Sequence, residues 1–272
     1  MSKHVDSHRI TVPEIRARKG REKIVCLTAY TAPMAAILDQ HVDLLLVGDS
    51  LGMVIHGLPN TVGVTLDMMI LHGQAVMRAA SHALVVVDLP FGTYESGREL
   101  AFSSATRIMR ETGCQAVKVE ASDGIADTIA FLTQRGIPVV GHVGLRPQAI
   151  NVEGGFKAKG RNAAECARVL AEACETDQAG AFAIVVEGVA PDLADEITQK
   201  VAVPTIGIGA SPKCDGQILV TDDVLGVFAE FKPRFVRRYA ELGPLISGAA
   251  KAYAADVRAR RFPGPEHCFG MK

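Results

Sequence analysis

Short, uninterrupted runs of branched apolar residues recur along the chain, each closed by an acid, and the stretches between them carry helical periodicity. The clearest is Leu44-Leu45-Leu46-Val47-Gly48-Asp49. The same pattern returns at Leu84 to Asp88, at Ala116-Val117-Lys118-Val119-Glu120 and at Ala183-Ile184-Val185-Val186-Glu187. Runs without polar alternation predict strands buried on both faces, as in a parallel sheet.

Strands are predicted at Ile24 to Thr28, Asp43 to Val47, Leu84 to Asp88, Ala116 to Glu120, Gly136 to His142, Phe182 to Glu187 and Pro204 to Ile208, with a weak eighth at Leu225 to Phe228. Between them lie helices from Ala32 to about Gln40, Thr65 to about Ser81, Leu100 to Thr112, Asp123 (as cap) to about Arg135, Ala163 to Gln178 and Asp192 to Lys200. A short helix capped by Thr11, with Pro13 in its first turn, is expected to cover the barrel bottom, and a long C-terminal helix to span about Leu245 to Arg261. Strands alternating with helices imply parallel pairing through crossovers. The fold class is therefore α/β, a parallel eight-stranded (βα)8 TIM barrel rather than an open sheet, in a single domain over 1–272. The glycine-rich segment Asn151 to Arg161 is expected to form a mobile lid, and Leu89 to Tyr94 a loop reaching over a site.

Composition narrows the partners. Among the 272 residues, 29 Lys+Arg oppose 30 Asp+Glu for a net charge of -1, which leaves no electrostatic footprint for nucleic acid or an anionic membrane. A small-molecule partner is expected. The first eight residues lack the apolar core of a secretory signal, and no uncharged run approaches the roughly 18 residues of a membrane helix. The 6 cysteines show no C-x-x-C spacing, so they read as thiols of a reducing cytoplasm rather than a disulfide or zinc framework, and none reads as a nucleophile.

If strands two, three and four are neighbours, Asp49, Asp88 and Glu120 share the C-terminal rim, where barrel enzymes work. Three carboxylates without a His or Cys cluster suit a hard divalent ion such as Mg²⁺; the alternative is that each acid merely caps a helix or solvates a strand end. Lys118 lies two residues before Glu120 and so faces the same side, as a ligand for a substrate carboxylate or as a structural partner of the acids. Glu187, ending strand six across the mouth, reads as a general base or a solvated strand end. His142 is a polar substrate contact or a satisfied core residue. His56 and His72 read as loop and helix-surface groups. Gly207-Ile208-Gly209-Ala210-Ser211 is either a phosphate-binding turn or a tight turn holding Asp215-Gly216-Gln217 at the rim.

Leu27-Thr28-Ala29-Tyr30, Val47 to Met53, Ala116 to Glu120, Gly141-His142-Val143-Gly144-Leu145 with Pro147-Gln148, and Gly207 to Ala210 with Asp215-Gly216-Gln217 together resemble the ketopantoate hydroxymethyltransferase family over nearly the whole chain. The resemblance implies a Mg²⁺-dependent transfer of a one-carbon unit from 5,10-methylenetetrahydrofolate to the α-ketoacid 3-methyl-2-oxobutanoate, giving ketopantoate, and a cytoplasmic homodecamer. It implies that Asp49, Asp88 and Glu120 hold the metal, directly or through water, that Ser50 and Lys118 bind the ketoacid alongside Asp49, Asp88 and His142, and that Glu187 is the base. Ser211 departs from the family's frequent Gly, and Cys268 from Ser. A metal-dependent lyase or mutase of the phosphoenolpyruvate mutase and isocitrate lyase kind stands as the alternative, and a non-catalytic oxyacid-binding barrel as a third reading.

Overall fold

Eight strands, β1 (Ile24–Thr28), β2 (Leu44–Val47), β3 (Leu84–Asp88), β4 (Ala116–Glu120), β5 (Val139–Gly144), β6 (Ala183–Glu187), β7 (Thr205–Ile208) and β8 (Gly216–Leu219), pair in parallel and in sequence order, and β8 returns to β1 to close a barrel. This is a computed structural model, and it describes residues 8–228 and 232–270. The N-terminal residues 1–7, which make up most of the stretch without a secretory core, lie outside the described residues. Two compact units are distinguished, Met1–Val220, which holds the barrel, and Thr221–Lys272. Among the described residues, no helix is long and apolar enough to cross a membrane.

Strands β2 to β5 are buried at every position, as their unbroken apolar runs require. Their outward residues, among them Leu45, Val85, Val87, Val117 and Val119, form one core with the helices α2 (Ala32–Leu38), α4 (Leu66–Ala79), α5 (Arg98–Thr112) and α6 (Ile125–Thr133). Val143, Ile184 and Val186 form another with α8 (Ala163–Gln178) and α9 (Pro191–Lys200). The short helices α1 (Val12–Arg16), α3 (Leu51–Val54) and α7 (Ile150–Glu153) complete the unit.

Inward residues change character along the barrel axis. Near the N-terminal ends Ile24, Leu44, Leu84, Ala116 and Phe182 pack with Ile10 and Ile15, the latter on α1, whose Glu14 carboxylate accepts hydrogen bonds from both Thr11 N (2.8 Å) and Thr11 Oγ1 (2.6 Å). Two or four residues beyond Leu84, Ala116, Val140 and Ala183, on the same strand faces, stand Asp88, Lys118, Glu120, His142 and Glu187. The interior is hydrocarbon below and charged above.

Several expected boundaries move. The eighth strand is Gly216–Leu219, not Leu225 to Phe228; the latter comes after a short helix, α10 (Thr221–Val224), in the second unit. No helix separates β7 from β8, so the periodic pattern that flags the other crossovers is missing. Gly216 reads as a strand breaker, yet a Cβ there would lie 2.5 Å from the Ile24 carbonyl oxygen, so only glycine allows β1 and β8 to approach. Strand five begins at Val139, because Pro138 brings no N–H to the ladder, and extends through Gly144. Asp123 does not cap α6: its N-cap is Gly124, at φ +83° and without a side-chain cap. Part of the glycine-rich segment is helical, as α7 (Ile150–Glu153).

Asp215 also changes place. It precedes β8, at the end of the barrel opposite the acids, and its carboxylate accepts from Lys19 Nζ (2.9 Å), Gly20 N (2.8 Å) and Thr205 N (2.8 Å). Asp39, at the end of α2, plays a similar part for the turn into β3: it accepts from Ser81 N (2.7 Å), Ser81 Oγ (3.2 Å), His82 N (2.9 Å) and Ala83 N (2.9 Å). Burial pushes the Asp39 carboxyl up, but these donors outweigh it and hold it below the ordinary carboxylate value.

Within the second unit, α11 (Leu242–Arg258) leads into a tail that folds back on it. Phe262 meets Tyr253 with ring centroids 5.5 Å apart, and Arg261 pairs with Asp256 at 2.8 Å.

Gly216→Ala is expected to destabilise by about 1–3 kcal/mol, read as a lower urea midpoint; a strand at 225–228 in its place would leave the variant unaffected. Asp39→Ala is expected to lose about 2–4 kcal/mol at pH 7. Because the folded carboxyl titrates lower than the unfolded one, its contribution is full above about pH 4 and falls as pH drops through the folded value. The gap between wild-type and variant midpoints should therefore narrow on acidification.

Candidate active site

The ladder brings the upper, inward residues level with one another. Asp88 pairs in register with Lys118 and Glu120 with His142, so adjacent strands deliver acid beside base at the rim, while Glu187 pairs with Gly144. Asp49 arrives differently, from the turn after β2. A Cβ at Gly48 would lie 2.8 Å from Ser50 Oγ, so glycine there leaves the Ser50 hydroxyl in its position. The backbone N–H of Asp49 then donates to Asp88 Oδ2 at 3.0 Å.

Lys118 is buried, 3.1 Å from Asp88 Oδ1 and 3.5 Å from His142 Nδ1. Burial alone would lower its pKa; Asp88, Asp49 and Glu120 outweigh burial and raise it, so the ammonium stays charged. The acids respond in the opposite sense. Burial and then the neighbouring Asp88 push Asp49 up to about 7, and burial and then Asp49 raise Glu120 well above its ordinary value. His142 is lowered, first by burial and then by Lys118, which favours the neutral ring. Its Nε2 lies 3.1 Å from Glu187 Oε2, off the line of a good hydrogen bond.

Four of the expected site residues, Asp49, Asp88, Lys118 and Glu120, thus form one electrostatic cluster, with His142 linking it to Glu187, the most exposed of the acids (19% for the side chain). Ser50 sits beside Asp49 at the start of α3, its hydroxyl 2.8 Å from the Tyr30 hydroxyl. His72, on α4, is half-buried with Nδ1 2.6 Å from the Tyr30 carbonyl and Nε2 2.9 Å from Nε2 of the exposed His56. The turn after β7 is spanned by its own contacts: Gln217 Nε2 donates to the Ser211 carbonyl at 2.8 Å, and the Ser211 hydroxyl bonds Asp195.

Sequence reasoning assigned no role to Tyr30, Tyr94 or Gln148, although Tyr30 and Gln148 lie in segments that carry the family resemblance. Their signal is weak: single polar side chains in turns just beyond β1, β3 and β5, without periodicity.

The residues fit a hard divalent cation in a particular way. Asp88 Oδ1 is buried and lacks an aligned hydrogen-bond partner. Two like-charged carboxylates crowd one another, and all the donors are oxygen. Among the described residues no three His, Cys, Asp or Glu side chains converge as a ready-made metal group. Glu120 is instead held by the Gln148 backbone N–H, at 3.3 and 3.2 Å to its two oxygens. A pair of direct carboxylates, with water and substrate completing the shell, is the usual manner of Mg²⁺ rather than of a closed protein cage.

Solved structures share the fold. A phosphonopyruvate hydrolase complex with oxalate and Mg²⁺ superposes with TM-score 0.59 at 13% identity, covering 94% of this chain and 93% of that one. A 2,3-dimethylmalate lyase of the PEP mutase/isocitrate lyase superfamily gives 0.60 at 15%, covering 96% and 89%. Closer relatives come from sequence. The chain is 64% identical over 274 residues to the 3-methyl-2-oxobutanoate hydroxymethyltransferase of Phenylobacterium zucineum (100% of this chain, 99% of the relative) and 59% identical over 272 residues to that of Agrobacterium fabrum (100% and 98%). The ketopantoate hydroxymethyltransferase family matches residues 9–265, nearly the whole of the barrel unit and most of the second unit, and the chain belongs to that family.

Proposed function

We propose that this protein is a hydroxymethyltransferase that moves a one-carbon unit from 5,10-methylenetetrahydrofolate to 3-methyl-2-oxobutanoate, forming ketopantoate for pantothenate and coenzyme A synthesis. The observation that carries the reading is the separation of charge across the barrel mouth. Asp49, in the turn after β2, and Asp88, at the end of β3, stand together, whereas Glu187 stands apart on β6, beside His142. One face can anchor a ketoacid while the other takes a proton from it.

Asp49 and Asp88 would hold Mg²⁺ directly and Glu120 through water. The bound ion supplies positive charge for the oxygen on which an enolate develops. Lys118, charged and buried between the acids, binds the substrate carboxylate, and Ser50, held by Tyr30, donates a hydroxyl to it. Glu187 removes the C3 proton on a carboxylate oxygen, and the neutral ring of His142 keeps that carboxylate over the site. The C3 carbon then forms a bond to the methylene carbon of the folate as one of that carbon's two C–N bonds breaks, and the released nitrogen takes a proton. Water then forms the C–O bond of the hydroxymethyl group as the second C–N bond breaks, and a proton from the water goes to that nitrogen, leaving tetrahydrofolate. An assembly of several copies, a decamer as in the implied family pattern, and a cytoplasmic location complete the proposal.

Proton NMR of 3-methyl-2-oxobutanoate in deuterated water tests both halves. With protein and Mg²⁺ the C3 proton signal should disappear, EDTA should stop the loss, and added methylenetetrahydrofolate should bring up ketopantoate. Exchange without product would point instead to a folate-independent lyase. Glu187→Gln should retain ketoacid binding yet slow exchange by at least about 100-fold; exchange at the wild-type rate would remove Glu187 from the role of base.

A further inference from the structure

Gln148 is buried in the turn after β5 and touches three strand ends at once. Its side-chain Nε2 donates to Asp49 Oδ2 at 2.8 Å and to the Leu89 carbonyl at 3.0 Å, its Oε1 accepts from the Tyr94 hydroxyl at 2.6 Å, and its backbone N–H reaches the Glu120 carboxylate. The amide can take only one orientation. Glu120 N donates to the Tyr94 oxygen at 3.3 Å, which leaves the phenol proton for Gln148. The Leu89 carbonyl can only accept, so the atom facing it and Asp49 must be the NH₂. Tyr94 is itself almost fully buried, so this arrangement exchanges little with water.

The chemistry of the link is as specific as its geometry. Asp49, Asp88 and Glu120 against Lys118 leave a surplus of negative charge that a divalent cation matches. An Arg or Lys in place of Gln148 would neutralise that surplus, and a Glu would add to it and could not donate. A neutral amide steers Asp49 through hydrogen bonds and leaves the charge for the ion.

We propose that Gln148 is a positioning residue whose amide, locked by Tyr94, holds the Asp49 carboxylate in a single orientation beside Asp88 for divalent-cation binding. The inference rests on the metal-binding pair of the proposed function and adds what sets its geometry. Outer-shell partners of this kind change metal affinity by about 10–100-fold when removed.

Mn²⁺ added to the full-length protein, with free Mn²⁺ read by electron paramagnetic resonance, tests the inference without turnover. Gln148→Met, which keeps volume but neither donates nor accepts as an amide, should weaken Mn²⁺ binding by about 10–100-fold, and Tyr94→Phe, which unlocks the amide and also removes the oxygen that Glu120 N donates to, should act in the same direction by less. In a cycle with Asp49→Ala, which leaves the Gln148 amide nothing to orient, the Gln148→Met effect should vanish, because it acts through Asp49. Wild-type affinity in both single variants would overturn the proposal, as would an undiminished effect on the Asp49→Ala background, which would mark a general structural loss. If Gln148→Met does not fold, Tyr94→Phe and its cycle decide by the same criteria. A wild-type protein that binds no Mn²⁺ would instead overturn the metal pair of the proposed function, and this inference with it.

Discussion

A lysine ammonium enclosed above a hydrocarbon floor sets the terms for everything around it. Below Lys118 the barrel is filled by Leu44, Leu46, Val86, Val140, Ala183, Val185, Ile206 and Ile218, none of which can solvate a charge. A buried cation there is tolerable only if anions surround it, and Asp88, Asp49 and Glu120 do. Their number exceeds what one lysine neutralises, and burial first, then repulsion between the acids, raises the pKa values of Asp49 and Glu120. The same apolar floor that makes the barrel stable thus makes its upper interior an electrostatic demand for a further cation.

The two ends of the barrel treat acids in contrasting ways. At the N-terminal end Asp39 and Asp215 are each ringed by backbone N–H and hydroxyl donors, and Asp215 also by Lys19, so their negative charge is satisfied and their pKa values fall. They tie turns to strand starts and have no capacity to spare. At the C-terminal end the carboxylates face one another and Lys118, with the Asp49 and Gln148 backbone N–H groups and the Gln148 side-chain amide as their other partners. Residues of one chemical type therefore serve stability at one pole and a candidate reaction centre at the other, and the difference lies in what each oxygen accepts from.

Glu187 stands outside this crowd. It closes β6 with a partly open side chain, and the loop after β5 is fastened beside it: Leu145 N donates to the Glu187 carbonyl at 2.8 Å and Lys159 N to the Gly188 carbonyl at 2.8 Å. The connection after β5 is thereby attached next to the proposed base at Leu145 and again at Lys159, within the glycine-rich segment. Gln148, inside the same connection, reaches back to Asp49, so one loop meets both the proposed cation-binding side and the proposed proton-accepting side of the mouth.

Much of this was legible in the chain itself. Unbroken runs such as Leu84 to Asp88 and Ala116 to Glu120 identify strands buried on two faces, because only a sheet covered on both sides accommodates such runs, and period two alone puts Lys118 and Glu120 on one side. Alternation of strands and helices determined the parallel barrel, and the acids at strand ends marked the rim that carries the candidate site. Other features belong to the tertiary structure. Gly216–Leu219 carries no local strand signal and becomes β8 only because β1 and β7 stand ready to pair with it, a requirement that runs across the whole barrel. Asp215 looked like a rim residue and lies at the opposite pole, because the return from β7 without a helix moves it there. The link from Tyr94 through Gln148 to Asp49 joins residues far apart in sequence, and a hydrogen bond depends on ångström distances and angles that no spacing along the chain encodes.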